Sequence, residues 1–256
     1  NVTTGFYNDD NIRPEYQTPD VLRFLLFDQR TERLVAERFL RVRKEDDKGV
    51  YYEGYISAPP GNYKMLAYNF DTEVCIIDGY NDYRNAYVYT GKVTTNLSVK
   101  AGKTPRFVYA PDSFCLAKYD NVRVAYSESV CEIKDSEGNW FVAESAVSWY
   151  YLQVRVNGVE YVTTSPAAVS GMEGTITLCD KDTKRKDPVS LYVEMYPGKD
   201  NGRDVMYTTF STFGRTPDAD AELTISFDFL TTHGGTHTET IDISDSFKTR
   251  DAEDFN

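Results

Sequence analysis

The stretch that decides the fold of this chain is PPGNYKMLAYNFDTE, residues 59–73. It begins as a turn, because proline fixes φ and Gly61 tolerates positive φ. From Tyr63 onward the side chains alternate between two faces with a period of two, which is the pattern of a strand. A polar corner follows at residues 69–73, and the apolar pattern resumes at residues 74–77. A proline–glycine turn that leads into a buried strand is typical of a β-sandwich, and it indicates no particular chemistry.

The composition bounds the class of protein. The 256 residues suffice for one large β domain or two smaller ones, and 41% of them are hydrophobic. Twenty tyrosines against two tryptophans favour strands and half-buried surfaces, where an apolar ring carries a hydroxyl group. The net charge of −12 argues against a nucleic-acid partner and against docking on anionic lipid. No apolar run approaches the roughly 18 residues that span a bilayer.

Short strands separated by turns recur along the chain, with almost no helical period. Residues 21–27 are apolar on both faces, which predicts a central strand covered on both sides. Residues 223–230 alternate instead, so that one face is apolar and the other is polar and expected to be solvated. Further strands are predicted at residues 34–42, 50–56, 93–99, 105–110, 122–133, 146–156, 159–164, 174–178, 189–196, 206–213 and 238–243. The pattern predicts an all-β fold with a sandwich in each half.

Turn signals divide this series of strands. Pro111 and Asp112 supply a turn after about seven predicted strands, so we place a domain boundary there. The expected domains are residues 1–115 and 116–256, each with a complete strand set and its own core. Two dipeptides predict hairpins in the second half, Asn157-Gly158 and Gly234-Gly235.

Residues that could carry catalysis or bind a metal are few. His233 and His237 are the only histidines; they flank a Gly-Gly turn and have no third ligand nearby in sequence. Aspartates alternate in residues 180–187 as in a calcium loop, but three lysines and one arginine there would repel the ion. We therefore predict no catalytic residues, no metal site and no cofactor. A pair of carboxylates for glycoside hydrolysis stays open, because the chain has forty acidic residues.

The four cysteines are Cys75, Cys115, Cys131 and Cys179, and no two of them form a CxxC motif. A zinc site is therefore not expected. Each lies among apolar neighbours, which favours core packing as small hydrophobic residues. A disulfide is the alternative, with Cys131 and Cys179 as the pair that falls within one half.

Residues 79–90 break the strand pattern and carry Tyr80, Tyr83, Tyr87 and Tyr89 among asparagines and aspartates. Exposed tyrosine rings can stack on sugars or pack against a protein partner, and tyrosine loses little conformational entropy when it becomes ordered. We predict that these four residues form a ligand or partner surface. The alternative is that most of the rings lie on a strand and pack the sandwich.

Several stretches together resemble one family. Residues 63–73 are similar to its Y-x-x-L-x-Y-N-x-D-T-E signature, and residues 110–112 to the Ala-Pro-Asp motif that follows. Residues 170–174 resemble its S-G-M turn, and residues 210–214 its F-x-T-F-G strand. The family is the Bacteroides-type surface lipoproteins of uncharacterised function that are allied to the fimbrillin superfamily, which includes anchor and minor subunits of fimbriae.

The resemblance implies two tandem transthyretin-like (Greek-key) β-sandwich domains. It also implies display at the cell surface on the outer membrane, with membrane attachment only through a lipid anchor outside this chain. The implied role is non-enzymatic, in adhesion or in fimbrial assembly, with a fimbrial subunit or another surface protein as partner and β-strand addition as mechanism. The alternative is a glycan-binding surface module of a carbohydrate-uptake system.

The amino-terminal arm bears on this role. The resemblance implies that stalk subunits of the superfamily are opened by a protease that cuts after an arginine. Here Arg13 is followed by Pro14, which has no amide hydrogen and distorts the extended conformation that a protease binds. We therefore expect slow cleavage and a retained arm, which suits an anchor or capping subunit better than a stalk subunit.

Overall fold

The computed structural model describes residues 18–47, 49–97, 106–126, 142–218 and 220–244. Most of these residues lie in strands, and a short 3₁₀ turn spans Val159–Tyr161. The all-β fold expected from the sequence is confirmed. Within the described ranges, no helix combines the length and the hydropathy needed to cross a bilayer. Arg13, Pro14 and Cys131 lie outside the described residues.

The described strands are numbered in chain order. They are β1 (Leu22–Asp28), β2 (Leu34–Leu40), β3 (Val42–Asp46), β4 (Gly49–Glu53), β5 (Gly61–Asn69), β6 (Cys75–Asp78), β7 (Tyr87–Thr90), β8 (Phe107–Tyr109), β9 (Cys115–Val124), β10 (Glu144–Ser145), β11 (Ser148–Arg155), β12 (Val162–Thr164), β13 (Pro166–Glu173), β14 (Thr175–Thr177), β15 (Asp180–Lys184), β16 (Pro188–Glu194), β17 (Tyr196–Asp200), β18 (Arg203–Thr212), β19 (Thr224–Thr231) and β20 (Thr236–Asp242).

Two of the sheets form a first sandwich. A five-stranded sheet with the order β10-β9-β5-β1-β2 faces a four-stranded sheet with the order β15-β14-β7-β6. Side chains from both sheets bury one apolar cluster, the first core, whose members include Phe27, Tyr68, Val88 and Ile176. Burial of these large side chains stabilises the sandwich by removing apolar surface from water.

A second sandwich encloses a separate core. The three-stranded sheet β11-β18-β17 packs on a six-stranded sheet in which β20, β19, β13, β16 and β8 are successive neighbours, with β12 also pairing β19. The second core contains Val154, Val169, Phe210 and Phe227 from facing strands. All pairings in these two sheets are antiparallel except that of β8 with β16, which is parallel.

Strand β5, predicted from residues 59–73, is central to the first sandwich. It pairs with β1 on one side and with β9 on the other. Leu66 and Tyr68 point into the first core, whereas Tyr63 and Met65 pack with Leu26 in a smaller cluster on the opposite face. Both faces of this sheet are therefore covered, as the two-sided apolar pattern of residues 21–27 predicted.

The chain exchanges strands across residue 115. Strand β9 joins the first sandwich, and β14 of the second half pairs with β7 of the first. In return, β8 of the first half pairs with β16 in the second sandwich. The expectation that each half supplies a complete strand set is therefore wrong. The division into domains at residues 115 and 116, and their transthyretin-like topology, stay predictions.

Three local predictions are wrong. Asn157-Gly158 does not make a hairpin between neighbouring strands, because β11 pairs with β18 and β12 pairs with β19; Gly158, at a φ of 86°, precedes the 3₁₀ turn. Residues 93–97 form no strand, although the Val93 amide donates to the Phe107 carbonyl at 2.9 Å. The turn expected at residues 170–174 is a bulge within β13, where Gly171 has a φ of 80°.

The hairpin at Gly234 is confirmed, since β19 and β20 pair on either side of it and Gly234 has a φ of 78°. The apolar face of β19 enters the second core as predicted, with Ile225 among its members. The opposite face is more buried than the sequence pattern indicated, because Ser226 is fully buried. Its hydroxyl lies 3.0 Å from that of Thr240 on β20, so a cross-strand hydrogen bond satisfies it.

Candidate functional site

Tyr83 is the most deeply buried of the four tyrosines predicted to form a surface, with 4% of its surface exposed. Its ring packs edge-on against Phe27, with the ring centroids 5.4 Å apart. Its hydroxyl donates a hydrogen bond to the carboxylate of Asp120. Burial and this hydrogen bond raise the pKa of the Tyr83 phenol. The prediction that Tyr83 lies on a binding surface is therefore wrong; the residue fixes the loop between β6 and β7 to the first core.

Glu32, between β1 and β2, also holds the loop between β6 and β7 in place. Its carboxylate pairs with Lys64 of β5 and with Arg84 of the loop, each at 2.6 Å. Its carbonyl accepts the amide of Tyr83 at 2.9 Å. These contacts hold the loop against the sheet, so the loop closes one end of the first sandwich.

Tyr80 is half-buried and packs on the cation of the chain's own Arg23. The guanidinium carbon lies 4.0 Å from the centroid of the Tyr80 ring, which is within the range of a cation–π contact. Arg23 is in turn paired with Glu37 of β2 at 2.6 Å. Part of the Tyr80 ring face is therefore covered within the chain.

Tyr87 and Tyr89 lie at alternate positions on β7 and point away from the first core. Both rings are half-buried, and their centroids are 5.8 Å apart. Arg185 stacks on Tyr87 at 4.0 Å, and Ile76 lies opposite Tyr89 on β6. The four predicted tyrosines thus do not form one surface, and a binding role for Tyr80, Tyr87 and Tyr89 stays a prediction.

The residues considered for metal binding or catalysis are separated in space. His233 lies near the tip of the β19–β20 hairpin beside the Tyr161 ring, and His237 lies 3.4 Å from Glu239. Asp187, at the end of the alternating aspartates, pairs with Arg106 at 2.5 Å. In the part of the chain that the structure describes, no three His, Cys, Asp or Glu side chains are grouped so that they could hold a metal.

The three described cysteines are buried or half-buried, as their apolar neighbours in the sequence predicted. Cys75 and Cys115 are buried, and burial raises the pKa of the Cys75 thiol to about 12. Cys179 is a half-buried free thiol whose pKa is also raised by burial. The core-packing interpretation is confirmed for Cys75, which belongs to the first core.

Two long strands end their sheets. Among the described strands, β2 pairs only with β1, and β20 pairs only with β19. At the start of β2 the Leu34 amide also donates to the Asn81 carbonyl at 3.0 Å, so the open part of this edge lies beyond Leu34. Strand β2 exposes apolar side chains at Val35 and Phe39, whereas β20 exposes His237 and Glu239. An unpaired edge presents free amide and carbonyl groups to a further strand.

A second aromatic surface lies on the outer side of the three-stranded sheet. We call Trp149, Tyr151, Tyr196 and Tyr207 the aromatic face. Tyr207 of β18 lies 6.0 Å from Tyr151 of β11 and 6.3 Å from Tyr196 of β17, measured between ring centroids. The sequence alone did not predict this surface. Trp149 and Tyr151, at alternate positions of one strand, indicate in the sequence that aromatic side chains share a face. The register that brings them next to Tyr207 of β18 and Tyr196 of β17 cannot be read from the sequence.

Comparison with known families identifies the chain. The family DUF5119, a domain of unknown function, matches residues 14–194. The chain belongs to the DUF5119 family. The resemblance inferred from the motifs is thereby confirmed. The DUF5119 match ends at the last residue of β16, so it includes all strands of the first sandwich and only part of the second.

Relatives of this DUF5119 protein come from Bacteroidales. A candidate fimbrium anchoring subunit of Bacteroides ovatus, Fim4B, is 26% identical over 194 residues, which are 76% of this chain and 52% of the relative. The chain thus spans about half the length of that curated relative.

Solved structures share the fold. A candidate adhesin from B. ovatus superposes with a TM-score of 0.62 at 22% identity, covering 90% of this chain and 79% of the other. The fimbrial anchor protein Mfa2 of Porphyromonas gingivalis has a TM-score of 0.51 at 12% identity, covering 93% of this chain and 79% of the other. At these identities the likeness establishes a common fold.

The motif residues of this DUF5119 chain serve the fold. Asp112, in the Ala-Pro-Asp motif, accepts the backbone amides of Val74 and Cys75 at 2.6 and 3.3 Å. Asp71, in the signature after β5, accepts the amide of Asp20 at 2.6 Å. These two aspartates therefore fix chain crossings next to the first core.

Proposed function

We propose that this chain is a non-enzymatic cell-surface protein that acts in fimbrial assembly or adhesion as an anchor or minor subunit. The proposal is supported by the DUF5119 match and by the relative Fim4B, a candidate fimbrium anchoring subunit. Attachment to the outer membrane would come from a lipid anchor outside this chain. The partner would be a fimbrial subunit or another surface protein.

The observation that carries the proposed mechanism is the open edge of β2. This strand is seven residues long and forms one end of the five-stranded sheet of the first sandwich. Val35 is the extra residue of a β-bulge in this strand, and Phe39 follows four residues later; 41% and 38% of their surfaces are exposed. The Phe39 ring contacts that of Phe70, with the centroids 5.0 Å apart, so the apolar surface continues beyond the strand.

A strand added by a partner would use this edge in two ways. Main-chain hydrogen bonds to β2 would give affinity, and alternate side chains of the added strand would contact Val35 and Phe39. Strand β20 suits this role less well. Its exposed residues include His237 and Glu239, and its apolar Ile241 packs against the second core. Charged side chains on an edge strand oppose pairing with another chain. Strand β2 also carries exposed charges at Glu37 and Arg38, but Glu37 is paired with Arg23 of the neighbouring β1.

The test is a complementation experiment in a strain that lacks the gene. The wild-type chain and Val35→Lys are expressed in turn, and the chain is quantified by immunoblot in sheared fimbriae. A lysine at the edge should disfavour addition of a strand, so we expect at least a fivefold lower amount of chain in the fimbrial fraction.

Leu230→Lys is the matched control, because Leu230 of β19 is 40% exposed and lies in the other sandwich. This variant should reach the fimbrial fraction at the wild-type level. Equal incorporation of Val35→Lys and wild type, with similar thermal stability, would refute strand addition at β2. Absence of the wild-type chain from the fimbriae would refute the fimbrial role itself.

A further inference from the structure

The rings of the aromatic face form a row on the outer side of the three-stranded sheet. Gly198 of β17 faces Val205 of β18, and a Cβ atom at Gly198 would meet the Tyr207 ring at 2.8 Å. The ring therefore lies across the backbone of β17 in a space that only glycine leaves open. The planes of Tyr207 and Tyr151 differ by 28°, whereas those of Tyr207 and Tyr196 differ by 49°. The row therefore has one nearly parallel pair of rings and one tilted ring at its exposed end.

The aromatic face is open to solvent. Tyr196 is 54% exposed, Trp149 is 41% exposed and Tyr207 is 36% exposed. The row from Tyr151 to Tyr196 crosses three neighbouring strands, a width of about 10 Å. A surface of this width suits a ligand made of several linked rings better than a single small molecule.

The side chains next to the rings in the strand register are polar and uncharged. Gln153 and Thr209 lie on the same face as the rings, and the Tyr151 hydroxyl donates to the Gln153 side-chain oxygen at 3.4 Å. Two ion pairs lie where the β17–β18 hairpin meets the end of β11, near the exposed Arg203. The pairs are Arg155 with Asp200 at 3.7 Å and Lys199 with Asp204 at 2.8 Å.

We propose that the aromatic face binds a neutral oligosaccharide. Each sugar ring has apolar C–H faces that can pack on tyrosine and tryptophan, and hydroxyl groups that can bond the neighbouring amide and phenol groups. Gln153 and Thr209, which neighbour the rings in the strand register, are uncharged, so the contacts they offer suit hydroxyl groups. The chain's net charge of −12 would also repel an anionic polysaccharide. This inference is independent of the proposed fimbrial role, because it concerns the opposite sandwich from β2.

The experiment uses the purified chain in native affinity electrophoresis. The gels contain yeast mannan, galactomannan or xyloglucan as neutral probes, and polygalacturonate as the anionic probe. We expect at least one neutral polysaccharide to retard the chain, with little change between low and moderate salt. Tyr196→Ala, at the exposed end of the row, should weaken the retardation at least tenfold in apparent affinity.

Two further variants separate binding from folding. Tyr161→Ala removes a tyrosine of similar exposure, 53%, at another place on the second sandwich and should bind as the wild type does. Gly198→Ala keeps every ring but displaces that of Tyr207, and should weaken binding while the thermal transition of the chain remains.

Three results would overturn the proposal. They are no retardation by any of the three neutral polysaccharides, equal weakening by Tyr161→Ala and Tyr196→Ala, and retardation by polygalacturonate alone. If the face instead binds only another protein, the neutral probes will give no retardation.

Discussion

The side chain of Asn69, at the end of β5, makes a bridge of two hydrogen bonds to the backbone, one at Cys115, the first residue of β9, and one two residues before it. The Asn69 amide nitrogen donates to the Ser113 carbonyl at 2.8 Å, and its oxygen accepts the Cys115 amide at 2.8 Å. Asn69 is buried, so no solvent competes for these groups. This bridge sets the point at which β9 begins beside β5.

Replacing Asn69 by alanine should destabilise the chain by about 3 kcal/mol. The change leaves a buried donor and a buried acceptor without partners, and each such group costs about 1–3 kcal/mol. For a chain of this size the expected decrease in Tm is roughly 6–12 °C, measured by circular dichroism. Asn62→Ala, at an exposed position of the same strand, is the control and should change Tm little. A shift equal to that of the control would contradict the bridging role of Asn69.

Tyr83 and Tyr87 should respond differently to truncation. Tyr83→Phe removes only the hydroxyl that binds Asp120 and should cost about 1 kcal/mol, whereas Tyr83→Ala should cost about 3–5 kcal/mol because it empties part of the first core. Tyr87→Ala, on the outer face of β7, should stay within about 1 kcal/mol. Urea denaturation of the three variants measures these differences. A larger loss of stability for Tyr87→Ala than for Tyr83→Ala would contradict the placement of Tyr83 in the first core and of Tyr87 on the outer face.

Gly171 should be the more sensitive of two glycines with nearly the same backbone conformation. Its φ is 80° and that of Gly234 is 78°, so an alanine at either site incurs the left-handed penalty of roughly 1–2 kcal/mol. Only at Gly171 would the new Cβ also meet a carbonyl oxygen, that of Glu222, at 2.8 Å. We expect Gly171→Ala to lower stability by about 3 kcal/mol in thermal denaturation. Equal losses at both sites would show that the contact with Glu222 relaxes freely.

Glu173 at the end of β13 predicts a pH dependence of stability. Its side chain is fully buried; one oxygen accepts the Asp187 amide at 2.9 Å, and none of the described donors reaches the other oxygen. Burial raises the pKa of this carboxyl group. The folded state thus binds the proton more tightly than the unfolded state, and this contribution to stability is lost as the pH rises through the folded-state pKa.

Glu173→Gln should therefore stabilise the chain at pH 8 by about 1 kcal/mol, because glutamine does not ionise and so leaves no charge in the buried site. The advantage over wild type should shrink at pH 5. Urea denaturation at both pH values measures it, and Glu45→Gln on exposed β3 controls for the loss of one surface charge. A variant less stable than wild type at pH 8 would contradict the expectation.

The sequence was most informative where one strand carries its own pattern. Residues 21–27 and 223–230 predicted β1 and β19 because their apolar spacing reports burial directly. The polar corner at Asn69 also marked a real chain crossing. The all-β class could be inferred from such local patterns, and the family from the short motifs at residues 63–73, 110–112, 170–174 and 210–214.

The remainder depends on contacts distant in sequence. Strand β13, with its run of alanine, serine and glycine, lacks a strand pattern and is defined by pairing with β16 and β19. Asn157-Gly158 has the composition of a hairpin, but β18 rather than the adjacent segment pairs with β11. Neither the burial of Tyr83 nor the assembly of the aromatic face can be read from local spacing, because both depend on strand register.

The strand exchange between the sandwiches has a mechanical consequence. The chain passes from one sandwich to the other between β7 and β8, β8 and β9, β10 and β11, β13 and β14, and β15 and β16. A pulling force on one sandwich is therefore shared among several backbone connections, whereas a single linker would act as a swivel. Bending or twisting at this junction would have to strain these connections together. A protein built in this way can transmit tension along its length with little loss of orientation.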